Sequence, residues 1–389
     1  MKPLYLIVPG AVVAVLIGIV IFLRVGSPPA TSGREDTPHN PAQTSFSAAR
    51  DLIHKAVDYE DCRYAVQQLN LYLDGAQEKP RPPSKEEIDL LKNREWFGLD
   101  DGELAEVQRD SFTPLDAHHL DLCLLLQDAV RSLRLDRLAP REQARACFDW
   151  VMRQVQLRDR AGDALPPDFV LRRGWGTALE RAQIFLAVLQ QLGIDGCMLA
   201  VPGKPGEPAL RYWLPGALIG KDIYLFDARL GIPLPGPKGE GIATLAQVRA
   251  QPAVLQQLGL DAKNPYDVSQ DQAAKAEVHV ACALSALAPR MRFLQDQLAA
   301  TEKVRLGVDP AALVKKFTEA AQAPEMKGVH VRIWNLPGDP SSPIRVLRGF
   351  LPESEGGVDK ARLREQYLAQ LVPREYFPAK FKEFDQEVV

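Results

Sequence analysis

The chain has 389 residues, of which 46% are hydrophobic and 25% are charged. This composition is typical of globular proteins and leaves room for two or three packed units, so it excludes a chain that is disordered throughout. The formal net charge is -3, which argues against nucleic acid as a partner because no overall positive field attracts phosphate backbones.

An uncharged apolar segment lies between Lys2 and Arg24. It comprises the 20 residues 4–23, which as a helix have about the 30 Å length of a bilayer's hydrocarbon core. The segment is longer than the apolar part of a cleavable signal peptide, and no A-x-A cleavage site follows it. We therefore expect residues 1–24 to form a single-pass membrane anchor with an extracytoplasmic body, although the few flanking charges leave the topology open.

The next two segments are predicted to be a spacer and a helical region. Residues 25–45 are rich in Pro, Ser, Thr and Gly, which predicts a flexible linker. Helical periodicity dominates residues 46–135, where Ser84 and Glu87 form the S-x-x-E pattern of a capping box. These patterns indicate a helical N-terminal region that stands off the membrane.

Metal-ligating residue types occur in this region and along the rest of the chain, but not at metal-site spacing. Asp116, His118, His119 and Asp121 are close in sequence, yet adjacent histidines on a helix point about 100° apart, so we expect a helix surface rather than a metal site. The cysteines are scattered, and we interpret them as buried small hydrophobic residues, with their disulfide state left open: Cys62, Cys123, Cys147, Cys197 and Cys282. We predict no metal and no cofactor.

Residues 136–235 predict a mixed helix and strand domain. Pro140 suits a first helical position, and apolar residues from Ala144 to Val155 recur at three- and four-residue spacing. A second capping box, Thr177 with Glu180, begins a largely apolar helix that Gly193 is placed to end. Three short segments with strand-forming residues then suggest an antiparallel sheet: residues 197–201, 210–214 and 222–226. The fold class expected from this order is α+β.

Residues 236–389 are predicted to be mostly helical after the Pro- and Gly-rich segment IPLPGPKGEG. The periodicity indicates helices over residues 242–258, 273–299 and 311–320. An exception is the segment 329–346, where alternating apolar residues on both sides of a DPSSP turn predict a hairpin.

The segment RGWGTALERAQIFLAVLQQLGIDGCML, followed by RYW and then IYLFDARLG, resembles the transglutaminase-like superfamily of papain-like cysteine enzymes. The resemblance covers residues 136–235 and implies a buried helix on a small antiparallel sheet. It also implies a catalytic triad at Ala178, Arg211 and Asp227, which stand at the positions of the family's Cys, His and Asp. Only the acid is retained in this chain.

The chemistry of the family requires a thiol at the first turn of a helix and a histidine that pairs with it. Ala178 cannot act as a nucleophile, and the permanently charged Arg211 cannot accept a proton. If Arg211 points toward Asp227, the two could form a charge-assisted pair in place of the family's His and Asp contact. Thr177 and Cys197 are the alternative nucleophiles, but Thr177 is expected to cap its helix and Cys197 to lie in an apolar strand.

These residues favour a membrane-anchored, catalytically inactive binding or scaffold module. Its partner would be a protein or peptide held in the former substrate cleft, and Trp175 and Trp213 are the candidate contact residues. One alternative is an active enzyme with a relocated nucleophile, which needs a histidine brought to the cleft by tertiary packing. Another is a purely structural protein that assembles other envelope proteins. The sequence leaves the ligand and the oligomeric state open.

Overall fold

The computed structural model describes residues 41–159, 164–259 and 263–334. These belong to a compact unit that spans Asn40–Val389. The predicted anchor at residues 4–23 and most of the predicted linker lie outside the described residues. Within the described residues, no helix combines the length and the apolar character that a membrane span requires.

Helices account for most of the regular structure, and a short 3-10 turn at Pro324–Met326 follows the last of them. The described helices are α1 Pro41–Lys55, α2 Tyr59–Gly75, α3 Lys85–Lys92, α4 Asp101–Gln108, α5 Pro114–Leu133, α6 Pro140–Gln154, α7 Pro167–Arg173, α8 Ala178–Leu192, α9 Leu245–Ala250, α10 Ala253–Gln256, α11 Gln270–Ala274, α12 Leu284–Leu287, α13 Pro289–Leu298 and α14 Pro310–Ala321.

The described strands form a two-stranded and a six-stranded sheet. They are β1 Gln156–Leu157, β2 Trp175–Gly176, β3 Asp195–Pro202, β4 Leu210–Ile219, β5 Asp222–Asp227, β6 Ile232–Pro233, β7 Glu277–Val280 and β8 Val331–Ile333. The larger sheet has the order β6-β5-β4-β3-β7-β8. Its pairs are antiparallel except for β7 with β8, which is parallel. The α+β class expected from the sequence is confirmed.

The N-terminal helices pack around their own apolar core. α1, α2, α5 and α13 contribute to a cluster that includes Ile53, Leu69, Leu120 and Leu294. α1 begins at Pro41, so the helical region starts earlier than the predicted boundary at residue 46. The predicted capping box of α3 is confirmed, because Ser84 Oγ accepts from the Glu87 amide at 3.1 Å and Glu87 accepts from the Ser84 amide at 2.8 Å.

The helix surface expected at the polar face of α5 is wrong. Asp116 is fully buried and His119 nearly so, because Arg290 and the backbone at Leu306 contact this side of the helix. Arg290 of α13, also fully buried, donates to Asp116 from Nε at 2.6 Å and from Nη2 at 3.1 Å. His119 donates from Nε2 to the Leu306 carbonyl at 2.8 Å. Arg290 and Asp116 are 174 residues apart in sequence, so the helical periodicity of α5 alone does not predict their ion pair.

The middle of the chain follows the sequence prediction closely. α8 starts at its capping box and ends at Gly193, whose φ of 74° is the left-handed conformation that favours glycine. α6 and α8 cover one face of the larger sheet, where the rings of Phe148, Phe185 and Phe226 have centroids 4.8 to 5.2 Å apart. The buried helix on an antiparallel sheet is therefore present in the structure.

The C-terminal region departs most from prediction. The helix expected over residues 273–299 is replaced by α11, β7, α12 and α13. β7 pairs with β3, so the sheet continues beyond the predicted domain boundary at residue 235. α14 confirms the helix expected over residues 311–320. Of the hairpin predicted over residues 329–346, the structure describes only the first segment, where β8 pairs with β7; residues 335–346 lie outside the described residues.

Candidate functional site

A cleft of about 1560 Å³ opens at one edge of the larger sheet. β4 begins and β5 ends at this edge because the two strands are antiparallel. The N-terminus of α8, residues in and around α10, and the segment that leads into α11 form further walls. Ala178, Arg211 and Asp227, the three positions that resemble a triad, all line this cleft.

The first triad position holds a residue that has no reactive group. Ala178 is the first residue of α8, directly after the N-cap Thr177. The predicted capping box is confirmed, because Thr177 Oγ1 accepts from the Glu180 amide at 3.2 Å and Glu180 Oε2 accepts from the Thr177 amide at 2.8 Å. The Thr177 hydroxyl therefore caps the helix, which removes the nearest candidate for a replacement nucleophile.

The second triad position is engaged by a residue that the sequence did not single out. The conditional pair between Arg211 and Asp227 does not form, because Arg211 is directed to Asp267. Arg211 instead donates from Nη1 to Asp267 Oδ2 at 2.5 Å and from Nη2 to the Asp267 carbonyl at 3.0 Å. The reason is geometric: the segment before α11 brings Asp267 to the start of β4, whereas Asp227 lies at the end of β5 and has other partners.

Asp227 is nearly fully buried and accepts three hydrogen bonds. Its Oδ1 accepts from the amides of Arg229 and Leu230 at 2.9 and 2.8 Å. Its Oδ2 accepts from the Tyr266 hydroxyl at 2.6 Å, and the Tyr266 oxygen accepts from Trp213 Nε1 at 3.1 Å. Burial, reinforced by the Asp227 carboxylate, raises the pKa of Tyr266. The phenol is therefore held in its protonated, donating form.

Asp267 lies among basic side chains at the mouth of the cleft. Its Oδ1 accepts from Lys204 Nζ at 2.7 Å, and Arg229 Nη1 is 3.8 Å from Oδ2. The hydrogen bond from Lys204, with the one from Arg211, lowers the pKa of Asp267 to about 2. The described residues that line the cleft include four basic and three acidic side chains: Lys204, Arg211, Arg229 and Lys263 with Asp159, Asp227 and Asp267.

The two tryptophans selected from the sequence have different positions. Trp213 lines the cleft and donates to Tyr266. Trp175 is not among the described lining residues. Its ring instead carries the guanidinium groups of Arg173, 3.9 Å from the centroid, and Arg158, 5.4 Å away. Trp175 therefore packs beside the buried pair of Arg173 with Glu180, whose atoms are 2.8 Å apart.

A relocated cysteine and histidine pair does not occur among the described residues that line the cleft, none of which is a cysteine or a histidine. Cys197 is fully buried in β3, where burial raises the pKa of its thiol. Cys123 lies 3.6 Å from His119 Nε2 inside the protein. Burial raises the pKa of Cys123 to about 12 and lowers that of His119. This pair is therefore held neutral, away from the cleft.

Tyr266 and Asp267 are the site residues that sequence reasoning missed. They lie in a short connection without helical or strand periodicity, within a region predicted to be helical. The only signal was local: Asn264 and Pro265 break a helix and place the following residues in a loop. Nothing in the sequence indicates that this loop contacts β4 and β5.

Comparison with protein-family models, with curated proteins and with solved structures finds no match to this chain.

Proposed function

We propose that this chain is a membrane-anchored binding module built on a transglutaminase-like core that has lost its catalytic chemistry. One observation carries the proposal: the three positions aligned with the triad meet in a single cleft, and none of them supplies a nucleophile or a base. Ala178 has no reactive group, Arg211 is bound to Asp267, and Asp227 is bound to Tyr266.

The meeting of these positions supports the resemblance independently of the residues that suggested it. Positions 178, 211 and 227 belong to three different elements, so their places in the sequence alone do not bring them to the same cleft. The helix on an antiparallel sheet is also the arrangement that the resemblance implies. Fold by itself does not determine activity, so the functional proposal depends on the contents of the cleft.

The size and the lining of the cleft support a peptide as its ligand. It is lined by the Trp213 ring and by side chains of both charges, which is the mixture of apolar surface and polar groups typical of ligand sites. Aromatic and arginine side chains such as Trp213 and Arg211 supply much of the affinity at protein interfaces. A cleft of about 1560 Å³ has room for several peptide residues, and the residues at the three aligned positions offer no nucleophile that would modify them.

Binding is tested with pools of N-acetylated tetrapeptides, sorted into acidic, basic, aromatic and aliphatic sets, by saturation-transfer NMR on the full chain. Ala178→Trp places a bulky ring in the cleft at the N-terminus of α8, and Gln67→Trp adds the same ring to an exposed position of α2. We expect at least one pool to bind the native chain and the Gln67→Trp variant but not the Ala178→Trp variant. Equal binding to all three proteins, or no binding by any pool, would contradict the proposal.

Membrane attachment through residues 4–23 is part of the same proposal, supported by the length and apolar character of that segment. We expect the full chain to stay with the membrane fraction after alkaline carbonate extraction, and a chain without residues 4–23 to be released. Release of the full chain by carbonate would contradict an integral anchor. Protease added to spheroplasts tests the extracytoplasmic placement, because it digests only a body that lies outside the cytoplasmic membrane.

A further inference from the structure

Two adjacent residues of the chain, Tyr266 and Asp267, hold the polar groups of the cleft. The Tyr266 hydroxyl bridges Trp213 and Asp227, and the Asp267 carboxylate bridges Lys204 and Arg211. Phenol and carboxylate thus engage the cleft as side chains of a bound dipeptide would. The residues in these contacts are 39 to 63 positions apart in sequence. The contacts are therefore tertiary and do not belong to a local turn.

The contacts also include the peptide backbone. Arg211 Nη2 donates to the Asp267 carbonyl at 3.0 Å while Nη1 donates to the carboxylate of the same residue. A fork that binds one carboxylate and one main-chain carbonyl recognises an acidic residue within a peptide, in contrast to a free carboxylic acid. The recognised chemistry is therefore an aromatic hydroxyl followed by an acidic residue in a peptide.

The contacts of Asp267 are more exposed to solvent than those of the next residue, Val268. Val268, the next residue, is buried in the core and anchors the chain there. The Asp267 side chain is 39% exposed, and that of its partner Lys204 is 47% exposed. Ion pairs at such exposure are weak because water and salt screen them. The contacts of Asp267 therefore open more easily than the anchor at Val268.

We propose that Tyr266 and Asp267 are an internal ligand of the cleft, which a peptide carrying a tyrosine followed by an acidic residue displaces; this inference rests on the proposed binding function. The partner is accordingly a protein with an exposed Tyr-Asp or Tyr-Glu sequence. Because the internal ligand is covalently attached, it competes at a high effective concentration. If the open state is about one-tenth populated, the apparent affinity for an external peptide is about tenfold weaker than the intrinsic one.

The test uses the fluorescein-labelled peptide KNPYDVS, which copies residues 263–269, and fluorescence anisotropy with the full chain. The double variant Tyr266→Phe with Asp267→Asn preserves side-chain size but removes the phenol and the charge, so it releases the internal ligand. The matched control, Tyr64→Phe with Asp271→Asn, makes the same changes at two exposed positions. We expect the releasing variant to bind KNPYDVS about tenfold more tightly than the native chain and the control variant do.

The peptide KNPFNVS, which lacks both recognised groups, is expected to bind the releasing variant at least tenfold more weakly than KNPYDVS. Equal affinity of the native chain and the releasing variant would overturn the inference, as would equal affinity for the two peptides. If KNPYDVS does not bind but a tetrapeptide pool still binds in a manner that Ala178→Trp abolishes, the internal ligand is refuted and the binding function stands. If neither binds, both proposals fail.

Discussion

Asp227→Ala gives the most direct stability test of the hydrogen-bond arrangement in the cleft. The substitution removes the acceptor of three hydrogen bonds, from the Arg229 and Leu230 amides and from the Tyr266 hydroxyl. A neutral hydrogen bond contributes about 1 kcal/mol net and one to a charged group about 1.5–3 kcal/mol, so the neutral figure gives a minimum for the three bonds. We therefore expect the free energy of unfolding to fall by at least about 3 kcal/mol, a large part of the total for a folded domain.

The assay is guanidinium denaturation of the full chain in mild detergent, followed by tryptophan fluorescence. Asp222→Ala is the matched control, because Asp222 is an exposed residue at the start of the same strand; its expected effect is within about 0.5 kcal/mol. Asp227→Asn retains an oxygen for the two amides and is expected to lose only about 1 kcal/mol. A loss below about 0.5 kcal/mol for Asp227→Ala would refute this account of Asp227 as a buried acceptor.

Three further predictions concern other parts of the chain. Arg290→Met leaves the buried Asp116 carboxylate unpaired and is expected to cost about 3–5 kcal/mol in denaturation; a loss under about 1 kcal/mol would contradict the buried pair. Burial, followed by nearby carboxylates, raises the pKa of Asp121 from 3.8 to about 6, so the folded state binds this proton more tightly. The free energy of unfolding should therefore fall as pH rises from about 4 to about 6, a slope that Asp121→Asn removes; an unchanged slope would exclude Asp121 as its source. In Ala178→Cys the helix N-terminus should lower the thiol pKa by only about 0.2–0.7 units, and adding Arg211→His should lower it by at least about one unit more, as measured by iodoacetamide rates against pH; equal pKa values in the single and double variants would show that the aligned positions do not form a pair.

The elements that the sequence predicts well are those specified by neighbouring residues. The capping boxes at Ser84 and Thr177, and the left-handed end of α8 at Gly193, depend on residues within one helical turn. The apolar face of α6 is equally local. The antiparallel strands after α8 are short segments bounded by glycine and proline, and their pairing follows from their adjacency in the chain.

The elements that were missed depend on distant partners. β7 has the sequence EVHV and follows a helix-like stretch, so only its position between β3 and β8 makes it a strand. Asp116 looks like a surface residue until Arg290 covers it. Arg211 and Asp227 have opposite charges, but in the structure Arg211 binds Asp267 and Asp227 accepts from Tyr266. Both of these partners lie in a segment that has no helical or strand periodicity.

We propose a cleft that binds peptides and does no covalent chemistry on them. The measurement that tests this proposal most directly is mass spectrometry of the native full chain and of any peptide pool that binds it, incubated together for several hours at neutral pH. We predict binding that Ala178→Trp abolishes, an unchanged protein mass and full recovery of unmodified peptide. A covalent adduct on the chain, or a cleaved or modified peptide whose formation Ala178→Trp prevents, would contradict the claim and show that the cleft is an active site.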